Sequence, residues 1–275
     1  MVKTKEDMPH PMSALRERYA YPPGRLMTQP KDGGDVIEIG NRRLHVAVPS
    51  TAEWARVEVR ARHSSVALDE FHMTLLRSGD GEDRLQGLLS AVVWGYVSGT
   101  DLVIRPERAL GKARMLLHGA GAKKAQSSAE VLRLLGVAKI AAEAGDLAAA
   151  LRACLEIKFL GPSFASKLVM KLRPDIAVVL DAVINDRFLG HPDAELAALH
   201  GSMAAKQSMA SRERFVARYV IWCDWCTRQA AWLNARKVTW KDWDGSTHAW
   251  RAVDIERAFF AMGRDARPEA CGTAT

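Results

Sequence analysis

Apolar residues along this chain repeat with two different periods. Ahead of Asp83 the period is short. Val36 to Ile39 and Leu44 to Val48 alternate apolar with other residues on either side of Gly40-Asn41, which predicts a β-hairpin closed by a two-residue turn. A further alternating run, Ala55 to Ala61, predicts another strand. Pro22-Pro23 and Gly33-Gly34 mark loops, and Met1 to Pro30 reads as an extended arm. From about Asp83 the period becomes helical. Asp83 to Tyr96 is apolar at Leu85, Leu88, Leu89, Val92 and Val93, and helices follow over Pro106 to His118 and Ser127 to Ala144. Asp146 is a good cap for a helix through Leu147, Leu151 and Leu155, and Arg173-Pro174 stops another that starts at Ser163. Asp181 to Leu189, Ser211 to Arg236 and Asp254 to Met262 complete the set. The pattern predicts a mainly α protein with a small N-terminal β element: residues 1–80 as arm and β element, 81–265 as one helical domain, 266–275 as a flexible tail.

Composition narrows this picture. The chain has 275 residues, 48% hydrophobic and 26% charged, as in a globular protein. No apolar run approaches the roughly 20 residues of a membrane span, and Met1 to Ser13 has no apolar stretch behind a basic start, so neither a membrane nor a secretory signal is expected. Four cysteines, at 154, 223, 226 and 271, are too scattered for a disulfide framework, and a reducing cytoplasm fits them best. Cys223 and Cys226 form a CxxC pair inside a helical pattern with no second pair at zinc-ligand spacing, which favours buried thiols over a metal or redox site. No HxxxH or HxH pair supports a metal, and Gly119-Ala120-Gly121 lacks the strand a dinucleotide loop requires.

The formal charge is +7, and its distribution says more than its size. Gly201 to Lys241 carries eight basic residues (Lys206, Arg212, Arg214, Arg218, Arg228, Arg236, Lys237, Lys241) against Glu213 and Asp224. Arg105, Arg108, Lys112, Arg114, Lys123 and Lys124 form a second basic stretch, and six of the eight tryptophans lie in the last third. Cations interleaved with flat rings suit nucleic acid, because cations neutralise phosphates and rings stack on bases. A solvated helix face above a Trp-rich core gives the same pattern.

The chemistry concentrates between Asp146 and Leu189. A helix ends near Glu156, Lys158-Phe159-Leu160-Gly161-Pro162-Ser163 makes a tight apolar turn, and a second helix begins with Ala165 and Ser166 on one side and Lys167 and Lys171 on the other. Such a turn brings backbone N–H groups and a helix N-terminus to the surface, where they bind phosphate. Further on, Asp181 is a carboxylate set in the apolar run Val178 to Ile184. Burying an Asp is costly unless it caps a helix or does chemistry, and capping Ala182 to Leu189 is compatible with a catalytic role. Asp175 reads as a turn residue and Asp186 as part of a solvated face.

In these features the chain resembles the helix-hairpin-helix DNA glycosylases, in particular bacterial relatives of 8-oxoguanine DNA glycosylase. The resemblance spans roughly Asp83 to Met262 and is most specific at Phe159–Lys167 followed by Val178–Ile184. It implies that the hairpin (Lys158, Gly161, Ser163, Ser166, Lys167, Lys171) grips the backbone of double-stranded DNA, that Asp181 is catalytic, and that the protein acts as a monomer without a cofactor. Two departures matter. Phe159 stands where the family hairpin has its first glycine, which puts a monovalent cation at the hairpin carbonyls in doubt. Ser163 stands where bifunctional members carry a nucleophilic lysine, and Lys167, one turn on, is expected to face differently. The implied enzyme is therefore monofunctional, leaving an abasic site without a lyase step.

A glycosylase flips its base into a pocket. Tyr219 to Trp225 resembles the late helix that presents base-reading side chains, with Asp224 about where guanine enzymes carry a glutamine. An Asp accepts from an exocyclic amine, as on cytosine or adenine. Trp222, Trp225, Trp94 and Tyr96 are candidate pocket walls or rim, and core packing is the alternative for each. Bacterial relatives of this type include a phage-defence enzyme that removes glucosylated hydroxymethylcytosine from viral DNA. The lost lysine and Asp224 lean towards such an antiviral substrate. The alternatives are repair of oxidised guanine, a non-catalytic hairpin module that only binds DNA, and an RNA-binding protein using the Trp-rich end.

Overall fold

Side-chain caps set most helix starts. Ser64 caps α2 (Ser65–Arg77) and Asp80 caps α3 (Gly81–Trp94), each by accepting from a first-turn N–H. Ser127 does the same for α5 (Ser128–Glu143), Asp146 for α6 (Leu147–Glu156) and Asp181 for α8 (Ala182–Phe188). Asp193 caps α9 (Ala194–Ala197) and Ser208 caps the long α10 (Met209–Ala235). Together with α1 (Pro11–Glu17), α4 (Pro106–His118), α7 (Pro162–Leu172) and α11 (Ala252–Asp265) they make the protein mainly helical. The computed structural model describes residues 11–19, 24–27, 36–39, 42–45, 56–59, 64–96 and 106–265. The 266–275 tail lies outside them.

The N-terminal β element is a four-stranded sheet, ordered β1 (Gly24–Met27), β4 (Arg56–Val59), β2 (Val36–Ile39), β3 (Arg42–His45). The β2–β3 pair is antiparallel with Ile39 opposite Arg42, the register a turn at 40–41 demands, although Gly40 and Asn41 themselves lie outside the described residues. β4 falls inside the alternating run from Ala55 to Ala61 and runs parallel to β2. A second, two-stranded sheet pairs β5 (Trp240–Lys241) with β6 (Thr247–His248).

Residues 1–80 depart from the expected arm and β element. Pro11–Glu17 is a helix where an extended arm is expected, Gly24–Met27 is a strand, and Ser65–Arg77 is a full helix packed against α3 and α7. The boundary at residue 80 therefore cuts through the helical layer. Buried charges lock these early elements to late ones. Arg16 on α1 sits against Asp254 on α11 at 3.1 Å, donates to Ser65 Oγ at 2.6 Å and stacks over the Trp240 ring at 3.8 Å. Asp69 on α2 receives Lys171 of α7 at 2.8 Å and Arg257 and Arg251 of the α11 region at 2.7 and 2.9 Å. Three cations around one buried carboxylate hold Asp69 well below the usual carboxylate range despite its burial. This clamp fixes α11 against α2 and α7.

The apolar core runs through α3, α5, α6, α7, α10 and α11, with Trp222, Phe188 and Phe215 fully buried. Each such side chain contributes about 1.5–3 kcal/mol by leaving water. Cys223 and Cys226 belong to that core, and burial pushes the Cys223 thiol up to about 12, as an inert apolar thiol should behave. Among the described residues no helix is long and apolar enough to cross a membrane.

Candidate functional site

The site is built on the turn between α6 and α7. Ile157 N–H closes back onto the Cys154 carbonyl, Leu160 is fully buried, and Gly161 starts α7 with Pro162 in the first helical position. Unlike the capped helices above, α7 begins on a residue without a side chain, so no side chain accepts from its first-turn N–H groups. Phe159 adopts the left-handed conformation, φ +61°, that a glycine would take without strain. Lys158 is exposed, with its N–H donated to Gln126 Oε1 at 2.7 Å. Lys206 Nζ donates to the Ile157 carbonyl at 2.7 Å, so one hairpin carbonyl already faces an ammonium of the chain itself.

Asp181 is held beside this turn by two pins. Ser166 accepts from Leu180 N–H at 3.1 Å and lies 2.9 Å from the Ser163 carbonyl, stitching the segment before Asp181 to α7. Trp222 Nε1 donates to the Val179 carbonyl at 3.0 Å from the other side. The Asp181 carboxylate then divides its work. Oδ1 caps α8 by accepting from Ile184 N–H at 3.1 Å, while Oδ2 faces Lys167 Nζ at 3.7 Å. Lys167 does not face elsewhere, as the spacing suggests; it reaches back one turn to donate to Ser163 Oγ at 3.0 Å. An amine therefore stands in the site after all, delivered from the position four residues on.

Other expected site residues are placed differently. Ser166 is fully buried and pins the backbone instead of meeting DNA, and Lys171 is fully buried against Asp69, its ammonium pushed down to about 8 by burial. Trp94 is the floor beneath Lys171, whose Nζ lies 4.0 Å above the ring, so it offers no rim. Trp222 is fully buried among Phe188, Trp225 and Phe259 and walls no pocket. Trp225 is half-buried, stacked on Trp222, with Nε1 donated to Asp193. The Asp224 side chain is 65% exposed on α10 and pairs with Arg228 at 3.0 Å, not with the Asp181 cluster. Much of the basic excess around it is also internally engaged: Arg212 with Glu156, Arg228 with Glu195, and Arg218 with the Leu199 and Ser202 carbonyls and Asn185.

Several residues that sequence reasoning did not single out stand at the site. Phe164, on the first turn of α7, packs against Tyr96 with ring centroids 5.1 Å apart, and Lys112 and Lys167 both face its ring. Gly95 makes room for it, since a Cβ there would come within 2.5 Å of the Phe164 ring. Burial raises the Tyr96 hydroxyl, and nearby Arg108 opposes that shift. Glu256 on α11 is 3% exposed, and its carboxyl is pushed up to about 8 by burial first and by the Asp181 charge second. Tyr96, at the end of the helix from Asp83, and the basic stretch with Arg108 and Lys112 were legible from the order of residues along the chain. Glu256 carried no local signal, because it lies far along the chain from Asp181, on the last helix.

One group with metal-ligand atoms also lies among the described residues: Asp242, Asp244 and His248, all within 4.8 Å of one another around the β5–β6 hairpin. The Asp242 oxygens are already committed to Ser64 Oγ, Ser65 Oγ and Val66 N–H, which makes Asp242 a structural cap between β5 and α2.

No family model, curated protein or solved structure matches the chain. The arrangement is thus read from its own chemistry: a fixed carboxylate, an amine, an uncapped helix N-terminus and an aromatic pair within one cluster.

Proposed function

We propose that the protein is a DNA glycosylase of the helix-hairpin-helix type, which hydrolyses the N-glycosidic bond of a flipped-out base and leaves an abasic site. The observation that carries this reading is the Asp181 carboxylate standing 3.7 Å from Lys167 Nζ beside the uncapped N-terminus of α7. A DNA phosphate on those N–H groups would bring a neighbouring sugar to Asp181. Glycosidic cleavage develops positive charge on the sugar, which a fixed carboxylate stabilises while it takes a proton from the attacking water. The Tyr96–Phe164 pair supplies flat rings that stack against a displaced base or fill the gap it leaves. Lys167 acts here by donating to Ser163 Oγ and pairing with the Asp181 carboxylate, which leaves water as the nucleophile.

The substrate class we propose is a bulky modified cytosine, glucosylated hydroxymethylcytosine of phage DNA. With Asp224 paired to Arg228, this rests on the resemblance and on Ser163 at the lysine position. The test is incubation with glucosylated phage DNA, unmodified DNA and an 8-oxoguanine duplex, with mass spectrometry of released bases. Release from the glucosylated DNA is expected, falling about 100-fold or more in Asp181→Asn. Base release by that variant at the parent rate would remove Asp181 from the chemistry, and release of 8-oxoguanine alone would make this a repair enzyme. DNA binding without any alkali-labile site would make it a binding module. Borohydride added during the reaction is expected to trap no protein–DNA adduct; an adduct lost in Lys167→Ala would replace hydrolysis with amine attack.

A further inference from the structure

The site contains a second carboxyl group that the reading above leaves unused. Glu256 lies on the face of α11 that also carries Phe259, and Phe259 packs on Phe188 of α8 with centroids 6.0 Å apart. Arg187 near the end of α8 donates to the Met262 carbonyl of α11. At the other end, the N–H groups of Ala252 and Val253 at the start of α11 donate to the Asp175 and Pro174 carbonyls at 3.1 and 3.2 Å, and Val253 shares a buried cluster with Val179. The start of α11 thus lies on the segment leading into Asp181 and its end lies beside the end of α8, so the two run in parallel and Glu256, between Val253 and Phe259, stands alongside Asp181. Among the described residues the Glu256 carboxyl has no hydrogen-bond or ion-pair partner, although its helix neighbours Asp254 and Arg257 both take part in the ionic clamp. A buried, unpartnered carboxyl is costly unless it stays protonated or has a ligand to meet.

We propose that Glu256 is the proton donor of this site, the acid that protonates the departing base while Asp181 stabilises the sugar cation. This rests on the glycosylase reading. In the step, the C1′–N bond breaks and its electron pair leaves with the base, which receives the Glu256 proton. Water adds to C1′, its surplus proton passing to Asp181, and solvent restores both carboxyl groups to their starting states. Two neighbouring carboxyls with different environments are a general solution for acid and base work in one pocket: the more buried one keeps its proton and the other its charge. The charged groups that face Glu256 are Asp181 from the α8 cap, Lys167 from α7, Arg16 from α1 and Arg257 from α11 itself, and the Cys223 and Cys226 thiols of α10 face it too. Asp181 favours the protonated acid and the three cations oppose it, yet burial dominates and leaves it protonated at neutral pH.

Two measurements on the full chain test this. The first is independent of activity: difference infrared spectroscopy between the parent and Glu256→Gln follows the C=O band of a protonated carboxyl. The band is expected to persist at pH 7 and fade near pH 8, with its midpoint moving down in Asp181→Asn. Absence of the band at pH 7, or a midpoint indifferent to Asp181, would overturn the carboxyl pair. The second is single-turnover base release from the glucosylated phage DNA. Glu256→Gln, which copies the shape of the protonated acid, should lose about 100-fold or more in rate with DNA affinity unchanged. The parent rate should fall as pH rises through about 8, and the variant should lack that limb. Glu256→Asp, which keeps the acid but shortens it, should retain the limb at a reduced rate. An active parent whose Glu256→Gln variant releases base equally fast sinks this proposal alone, whereas a parent that releases no base from any of the three DNAs sinks the glycosylase reading, whatever the band shows.

Discussion

Asp181 does two jobs with two oxygens, and substitutions separate them. Asparagine keeps an oxygen to accept from Ile184 N–H, whereas alanine leaves that donor uncapped. Both substitutions remove the same charge, so Asp181→Ala should melt about 1 kcal/mol below Asp181→Asn, while both lose base release; equal melting of the two would deny the cap any energetic weight. Left-handed backbone makes a similar contrast. Lys237 (φ +56°) ends α10 with Lys237 and Val238 N–H donated to the Asn234 and Leu233 carbonyls, the geometry that favours glycine. Its side chain is exposed, so Lys237→Gly should stabilise by about 1 kcal/mol in thermal or chemical denaturation. Phe159 carries the same strain (φ +61°), but its ring packs on the core and offsets part of it, so no such gain is expected there.

Elements place these residues through few but specific contacts. α7 faces the Asp181 segment through Ser166, whose hydroxyl is the acceptor for the buried Leu180 N–H. Ser166→Ala should cost about 1–3 kcal/mol by leaving that donor unsatisfied. It should also slow base release more than it weakens DNA binding, because Asp181 follows directly on Leu180. Hydrogen exchange at Leu180 would read the first effect and single-turnover kinetics the second. At this scale the sequence is informative about existence and poor about facing. Caps at Asp146 and Asp181 and the stop at Arg173-Pro174 mark α6, α8 and the end of α7 within a residue or two. The same periodicity does not say that Lys171 faces inward. A lysine on a helix is normally a surface residue, and only Asp69, brought in by a helix that the alternating pattern before residue 80 obscures, makes its burial tolerable.

The whole molecule is held by a buried ionic cluster joining α1, α2, α7 and the start of α11. Removing one charge from such a cluster leaves the others uncompensated, so Asp69→Asn should destabilise by about 3–5 kcal/mol. Asp69 and Asp254 are both held below their ordinary carboxylate value of 3.8, so they bind fewer protons folded than unfolded. Their contribution is present above that value and is lost as acid drives the pH down through the folded one. Glu256 has the opposite sign. Folded, it keeps its proton up to about 8, against an ordinary 4.5, so its fully favourable state lies below 4.5 and stability drains away as pH rises to about 8. Glu256→Gln should thus melt above the parent, with a gap that opens between pH 5 and 8 and is absent at pH 4. A constant gap would mean that Glu256 titrates normally.

Helical period, capping residues, the β2–β3 pairing and the apolar turn before α7 are legible in the chain because each depends on neighbours within one or two turns. So is the singularity of Asp181, a carboxylate in an apolar run. Which residues stand beside it is not legible. Glu256 feels the Asp181 charge because α8 and α11 lie side by side, Lys167 turns back because Ser163 receives it, and Trp94, Trp222 and Lys171 vanish into the interior because helices from both ends of the chain cover them. Burial and long-range pairing are properties of the closed surface, and closing that surface brings together residues that sequence separation keeps apart.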